Sequence, residues 1–455
     1  MKKQEKIIEK LKNKNVAILG FGREGISTYK YIRKYLPEKF LTIIDEKDIK
    51  DNEFIKGDNN LSFVIGSEYL NNLDIYDLII KTPGISLKEV EVKSFKHKIT
   101  SQIELLLEEY KDNVIGITGT KGKSTMCTLL YEIFKNSGKD VFLLGNIGVP
   151  VFDEIDNFKD DSILVVEMSS FQIEYLKTAP HIAIILNLFI DHLNHAGSIE
   201  NYHESKLNIF KVQDKNDIGI FICDVEPLNT KVRNNKYKHK EFKISYEKQV
   251  DCDLYMEDGF IIYKGEKIFN TNIEMNLKGK HIFENLMTIH LVCELYKIDR
   301  NIILKTVKEF KTLPHRMEFV VEKDGIKYYN DSIATVPEAT MCSIDTIKDV
   351  DTLITGGSDK GSDYKEFIDF LSKSSIKNII FMPDTGYILK EELEKICKDK
   401  NLYLIEKLKD AVDKAKEITD KGKSCLMSPA AANFTEYANY VAKGEAFKEF
   451  VKGSD

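Results

Sequence analysis

Two glycine-rich segments of this 455-residue chain have the residue types and spacing to hold phosphate. The first, GFGREG, places Gly20, Gly22 and Gly25 after the aliphatic run NVAIL and before a helical pattern expected over Ile26 to Tyr35. Glycines so spaced allow a tight turn and close backbone approach, letting a diphosphate sit against a helix amino terminus. About twenty residues on, Leu41 to Ile44 reads as a second strand ending at Asp45, where an acidic side chain meets a ribose hydroxyl. The alternative is a packing turn, and the motif does not say which nucleotide. The second segment, GITGTKGKST, spans Gly116 to Thr125, between the strand residues Val114 and Ile115 and a helical pattern expected from near Met126. Backbone amides and Lys123 would hold the phosphates of ATP, and the hydroxyl of Ser124 or Thr125 would coordinate Mg²⁺. Its glycines, Gly116, Gly119 and Gly122, form a compact variant, because Ile117 stands where the standard GxxxxGK[ST] loop has its first glycine. An ordinary helix start capped by Ser or Thr is the bland alternative. A dehydrogenase explains only the first loop and a plain ATPase only the second. An enzyme that uses ATP on a nucleotide-linked substrate explains both.

Further candidates follow the second loop. The strand SILVVE ends at Glu167, and a carboxylate at the carboxyl end of a parallel strand beside a phosphate loop is well placed for Mg²⁺. The next strand, IAIILN, is expected to end at Asn187 and leads to DHLNH, with Asp191, His192 and His195. Those histidines read either as site residues at the same sheet edge or as satisfied loop residues. Lys206, in YHESKLNIF, lies on an expected helix that would return its side chain toward that edge; its bland reading is a solvated face.

Positioning these residues requires α/β units. Runs starting at Asn15, Asn113 and Asp351 each follow an aliphatic strand with glycines and a helix-compatible pattern, which predicts mainly parallel sheets. With linkers at Glu108 to Asn113 and Glu309 to Arg316, the expected domains are 1–110, 111–310 and 311–455. The stretch Val225 to Lys280 is more polar and carries no legible role. Apolar residues at 42% and charged residues at 31% fit a soluble globular chain rather than a disordered one. Acidic residues outnumber basic ones 73 to 66, against a nucleic-acid footprint spread over the whole surface. No apolar run approaches the roughly 20 residues that span a bilayer. The charged start MKKQEKIIEK is unlike a signal peptide, so a cytoplasmic location is expected. The seven cysteines are scattered, without a CxxC pair, and are expected to be reduced and mostly buried.

Taken in order, GITGTKGKST, GNIG, EMSSFQIE, LNLFIDHLNH, SKLNIF, LPHRMEF, NDSIAT, GGSDKG and SPAAANF resemble the motifs of the Mur ligases, the ATP-dependent amide-forming enzymes of peptidoglycan precursor synthesis. The resemblance covers nearly the whole chain. It implies a three-domain α/β architecture: a Rossmann-like amino-terminal domain for the UDP part of the acceptor, a P-loop-type central domain for ATP and Mg²⁺, and a Rossmann-like carboxy-terminal domain for the incoming amino acid. It implies that Gly22, Arg23, Asp45 and Thr82 surround the uridine diphosphate, and that Asn146, Gln172 and His192 lie near the muramoyl and diphosphate groups. Gly119, Thr120, Lys121, Gly122, Lys123, Ser124, Thr125, Asn285, Arg316 and Asp331 would contact ATP. Ser124, Thr125, Glu167 and His192 would serve the metal, together with Lys206 as a carbamate. Thr335, Lys360, Asn433, Phe434 and Tyr440 would contact the amino acid. Catalysis would fall to Lys123, His192, Lys206 and Lys360. The implied reaction joins UDP-N-acetylmuramoyl-L-alanine to D-glutamate through an acyl phosphate, in a monomer with no nucleic-acid or membrane partner.

The chain departs from the family pattern at Lys121, Asn194, Ile333 and Asn433, where Asn, Asp, Lys and Ser are usual. Two of these lie in the implied amino-acid pocket, leaving D- or L-glutamate, or another amino acid, as alternatives. A folylpolyglutamate-synthase-like ligase and a non-catalytic nucleotide-binding protein are the remaining readings.

Overall fold

A computed structural model describes residues 2–189, 198–248, 251–271, 280–310, 314–358, 364–431, 436–437 and 439–453. Three sheets are seen, and the chain divides into two compact units, one built on residues up to Met275 with Lys280–Glu309, the other on Phe310–Asp455.

The first sheet has five strands, β1 (Val16–Leu19), β2 (Leu41–Asp45), β3 (Leu61–Ile65), β4 (Leu78–Lys81) and β5 (Ile99–Thr100), in the order β3-β2-β1-β4-β5. All its pairings are parallel. All four residues of β1 are buried, the pattern of a central parallel strand covered on both faces. The helix Arg23–Tyr35 begins three residues before the expected Ile26. The apolar periodicity of Ile26, Tyr29 and Ile32 marks only the packed face; the first turn is polar because its free amides point at the loop. Gly25 is obligatory for this geometry, since a Cβ there would lie 2.1 Å from the Gly20 carbonyl oxygen.

The second sheet has nine strands: β6 (Val114–Thr118), β7 (Val141–Gly145), β8 (Ile163–Glu167), β9 (Ile182–Ile185), β10 (Ile218–Ile222), β11 (Lys240–Ile244), β12 (Leu254–Glu257), β13 (Phe260–Tyr263) and β14 (Glu266–Asn270). Their order is β14-β13-β12-β11-β10-β9-β6-β8-β7. Seven strands pair in parallel, and β12-β13-β14 pair antiparallel. The polar stretch after Val225 thus extends one edge of this sheet, with strands only partly buried. β9 stops at Ile185, short of the expected Asn187, whose side chain is used elsewhere. One apolar core, running from Val16 and Ile43 through Leu107 and Val166 to Phe221, is shared by the first two sheets.

The other unit carries β15 (Glu318–Lys323), β16 (Ile326–Asn330), β17 (Val350–Gly356), β18 (Asn378–Met382), β19 (Asn401–Leu404) and β20 (Ser424–Met427), ordered β15-β16-β20-β17-β18-β19. Only the β15-β16 pair is antiparallel. All seven residues of β17 are buried, again a doubly covered strand. The seven cysteines are unbridged and five are buried. Among the described residues no helix is long and apolar enough to cross a membrane.

Candidate active site

The carboxyl ends of β6, β8 and β9 converge because the strands are parallel neighbours, with Ile117 in register with both Glu167 and Ile184. The loop after β6 leads into the helix Lys123–Asn136, so Lys123, Ser124 and Thr125 form a first helical turn rather than loop, three residues ahead of the expected start. Gly122 caps this helix in the left-handed region at φ +85°, which glycine adopts without strain. The first-turn amides and the positive end of the helix dipole face the loop, an arrangement that favours a phosphate anion.

Asn187 holds the loop in shape. Its Oδ1 accepts the amides of Thr120 at 2.9 Å and Lys121 at 2.8 Å, and its Nδ2 donates to the Lys121 carbonyl at 3.0 Å. Tyr202 reaches from the helix Ile199–Lys211 to donate to Thr120 Oγ1 at 3.3 Å. Neither side chain was singled out from the sequence as a site residue. The usable signal at Asn187 was a polar residue just past the carboxyl end of a parallel strand.

Two ammonium groups meet at one atom here. Lys123 Nζ donates to the Gly119 carbonyl at 2.9 Å, and Lys206 Nζ donates to the same oxygen at 3.0 Å. Lys206 is 1% exposed, so the solvated-face reading fails. Glu167 is also 1% exposed; its Oε1 accepts Asn146 Nδ2 at 2.7 Å, while Oε2 is buried without a hydrogen bond among the described residues. An orphaned carboxylate oxygen beside the first turn of a phosphate-binding helix fits a hard, oxygen-liganded cation such as Mg²⁺. No group of three or more His, Cys, Asp or Glu that could hold a metal ion is present among the described residues. Asn285, on the helix Lys280–Leu295, stands over the loop, 3.8 Å from where a Gly122 Cβ would project.

The first sheet contributes a second group at the adjoining edge. Asp45 Oδ2 accepts the Phe21 amide at 2.7 Å, and Thr82 Oγ1 donates to the Leu19 carbonyl at 3.1 Å. Arg23 reaches across to the GNIG turn, donating to the carbonyls of Gly145 at 3.1 Å and Gly148 at 3.4 Å. Gln172 donates to Glu24 Oε1 at 2.7 Å. Gly22, Arg23, Thr82, Asn146 and Gln172 are thereby joined to the region of Glu167 within one compact unit.

In the other unit Asp331 is 2% exposed and lies within an internal network. Its Oδ1 accepts the Met317 amide at 3.1 Å, and its Oδ2 accepts the hydroxyls of Ser343 and Ser428 at 2.7 Å each. Burial raises its carboxyl above the usual range, opposed first by those hydroxyls. Arg316 is half-buried beside it, Thr335 is exposed, and Tyr440 opens the helix Tyr440–Lys452 with its ring edge-on to His315. His192, Lys360, Asn433 and Phe434 lie outside the described residues.

Parallel sheets whose glycine loops feed phosphate-binding helices, with two lysines and a carboxylate at one strand edge, define a nucleotide-dependent phosphoryl-transfer enzyme in general form. Residues 117–293 match the Mur ligase middle domain and residues 315–431 match the Mur ligase glutamate ligase domain. The UDP-N-acetylmuramoylalanine–D-glutamate ligase of Clostridioides difficile is 32% identical, the alignment covering 97% of this chain and 99% of that protein. The enzyme of the same name from Caldanaerobacter subterraneus is 33% identical over 97% of this chain and 98% of its own length. Among solved structures, the UDP-N-acetylmuramate–alanine ligase of Thermotoga maritima superposes with a TM-score of 0.59 at 16% identity, covering 96% of this chain and 98% of that one. A pseudomurein peptide ligase from Methanothermus fervidus gives 0.54 at 18% identity over 91% and 96%. The chain belongs to the Mur ligase family.

Proposed function

We propose that this protein is the ligase that joins D-glutamate to UDP-N-acetylmuramoyl-L-alanine at the expense of ATP, in peptidoglycan precursor synthesis. The observation that carries the reading is the meeting of Lys123 and Lys206 at the Gly119 carbonyl, beside the orphaned oxygen of Glu167. ATP phosphates lie on the amides of Gly119 to Thr125, with Lys123 placed to offset charge on the transferred phosphoryl group. Attack by the alanine carboxylate on the γ-phosphorus gives an acyl phosphate and ADP; the glutamate amine then displaces phosphate and forms the amide. Glu167 with Ser124 or Thr125, His192 and a carbamoylated Lys206 would hold Mg²⁺, which would supply neutralisation of phosphate charge. A carbamate turns Lys206 from a cation into an anionic oxygen donor, which also relieves its repulsion with Lys123.

The uridine diphosphate is assigned to Gly22, Arg23, Asp45 and Thr82, with Asn146, Gln172 and His192 beyond them. Asn285 is assigned to adenine, Arg316 and Asp331 to ATP, and Thr335, Lys360, Asn433, Phe434 and Tyr440 to the amino acid. On this reading the domains 1–110, 111–310 and 311–455 divide the acceptor, ATP and amino acid between them, in a cytoplasmic monomer. The relatives' names support the D isomer at the positions where Ile333 and Asn433 depart from the family pattern. The purified chain with UDP-N-acetylmuramoyl-L-alanine, ATP and Mg²⁺ is expected to release phosphate with D-glutamate and not with L-glutamate. Preference for L-glutamate would overturn the stereochemistry, and absence of turnover with any amino acid would overturn the ligase.

A further inference from the structure

Glu24 is a buried carboxylate with no part in the chemistry above. It opens the helix Arg23–Tyr35, directly after the first glycine loop, and is 9% exposed. Its Oε1 accepts Gln172 Nε2 at 2.7 Å. Gln172 is held from its other side as well: its Oε1 accepts the amide of Ser169 at 3.0 Å and the Ser169 hydroxyl at 3.1 Å. The Ser169 amide can only donate, so the glutamine oxygen must face it and the NH₂ group must face Glu24. One N–H is spent on the carboxylate, and the other is left in a fixed direction.

A buried carboxylate needs a counter-charge. Lys81, at the end of β4, is 4% exposed, donates to the Thr82 carbonyl at 3.3 Å and interacts electrostatically with both Glu174 and Glu24. Burial pushes Glu24 up to about 7, opposed by Gln172, Arg23 and Lys81. Burial likewise brings Lys81 down to about 8, opposed by Glu174 and Glu24. Arg23, the neighbouring residue, spans to the GNIG turn. The first turn of this helix therefore contacts both segments assigned to the acceptor beyond its uridine.

We propose that Glu24 is a positioning residue for the nucleotide-linked acceptor: its carboxylate accepts one N–H of Gln172 and so holds the amide with its second N–H presented to the acceptor's anionic diphosphate–sugar portion. This rests on the assignment of Gln172 to the acceptor made above. Ser169 sets which way the amide faces by holding its oxygen; Glu24 holds its nitrogen, and without that acceptor the NH₂ group can tilt away from the anion and would have to be ordered on binding.

The test uses the full-length chain and reads acceptor binding by calorimetry, together with KM for each substrate and kcat. Glu24→Ala is expected to weaken acceptor binding and raise its KM about tenfold, with kcat and the KM values for ATP and glutamate within about twofold of wild type. Glu24→Gln keeps an oxygen that can accept the same N–H, and Lys81 keeps Glu174, so acceptor affinity should return to within about threefold of wild type. In the double variant with Gln172→Ala, Glu24→Ala should add nothing to the loss from Gln172→Ala alone. Unchanged acceptor affinity in Glu24→Ala, a uniform fall in all parameters without recovery in Glu24→Gln, or additive losses in the double variant would each overturn the proposal. If Glu24→Ala fails to fold, Glu24→Met, which fills the same space without an acceptor, takes its place in the cycle with Gln172→Ala. Failure of wild type to bind or use UDP-N-acetylmuramoyl-L-alanine would strike the functional reading instead, whereas normal wild-type binding with an unaffected variant strikes only the role of Glu24.

Discussion

Lys206 and Lys123 share one carbonyl acceptor in an interior where like charges repel more strongly than in water. Converting one to a carbamate would resolve the conflict chemically. Lys206→Arg keeps the positive charge and cannot be carbamoylated, so phosphate release at saturating substrates is expected to fall about 10²- to 10³-fold. Bicarbonate should restore wild-type enzyme prepared free of CO₂ and leave the variant unchanged. Lys443 makes a different demand. It is fully buried, and burial brings its ammonium down to about 7, with Asp331 pulling the other way. The unfolded chain holds that proton up to about pH 10.4, so between about 7 and 10 the folded state binds fewer protons and stability rises with pH by about 1.4 kcal/mol per unit. Lys443→Met should remove that slope, read as urea unfolding free energy from pH 7.5 to 9.5.

At the level of elements, both phosphate loops feed helices that begin three residues earlier than their apolar periodicity indicates. Periodicity reports the packed face, whereas the first turn is shaped by what it must bind. The second loop depends on Asn187, which satisfies the amides of Thr120 and Lys121 together. Asn187→Ala leaves the Lys121 amide without its acceptor and the Thr120 amide with only the Asn187 backbone carbonyl at 3.2 Å, at about 1–3 kcal/mol. Its signature is a KM for ATP raised more than that for the acceptor. Equal changes in both would show that the loop does not depend on this side chain.

For the whole molecule, the core shared by the first two sheets predicts that they unfold together, while the unit carrying β15 to β20 has its own cores. Calorimetry should resolve two transitions. Phe134→Ala should lower one and Phe367→Ala the other; each residue is fully buried, and the loss is about 3–5 kcal/mol in its own unit. A single transition lowered by both variants would contradict independent cores. The modest excess of acidic residues, 73 against 66, is compatible with anionic substrates because a few amides and lysines at one sheet edge set the local field.

Much of this architecture is written in short-range patterns. Aliphatic runs ending in glycine or a carboxylate, such as NVAIL before Gly20 and SILVVE at Glu167, fit doubly covered parallel strands, and the order of the motifs identifies the family. The edge strands after Val225 were illegible because half-exposed antiparallel strands carry a weaker apolar signal than doubly buried ones. Tertiary structure alone decided which polar residues act together. Lys206 looks like any surface lysine until the helix Ile199–Lys211 packs it beneath Gly119. Asp331 is one acidic residue among many until Ser343 and Ser428 enclose it. Glu24 and Gln172 share no local pattern, yet they meet at 2.7 Å. Sequence specifies each strand and turn through near-neighbour forces, but parallel strand order juxtaposes loops far apart in the chain, and burial and charge at the site exist only after that juxtaposition.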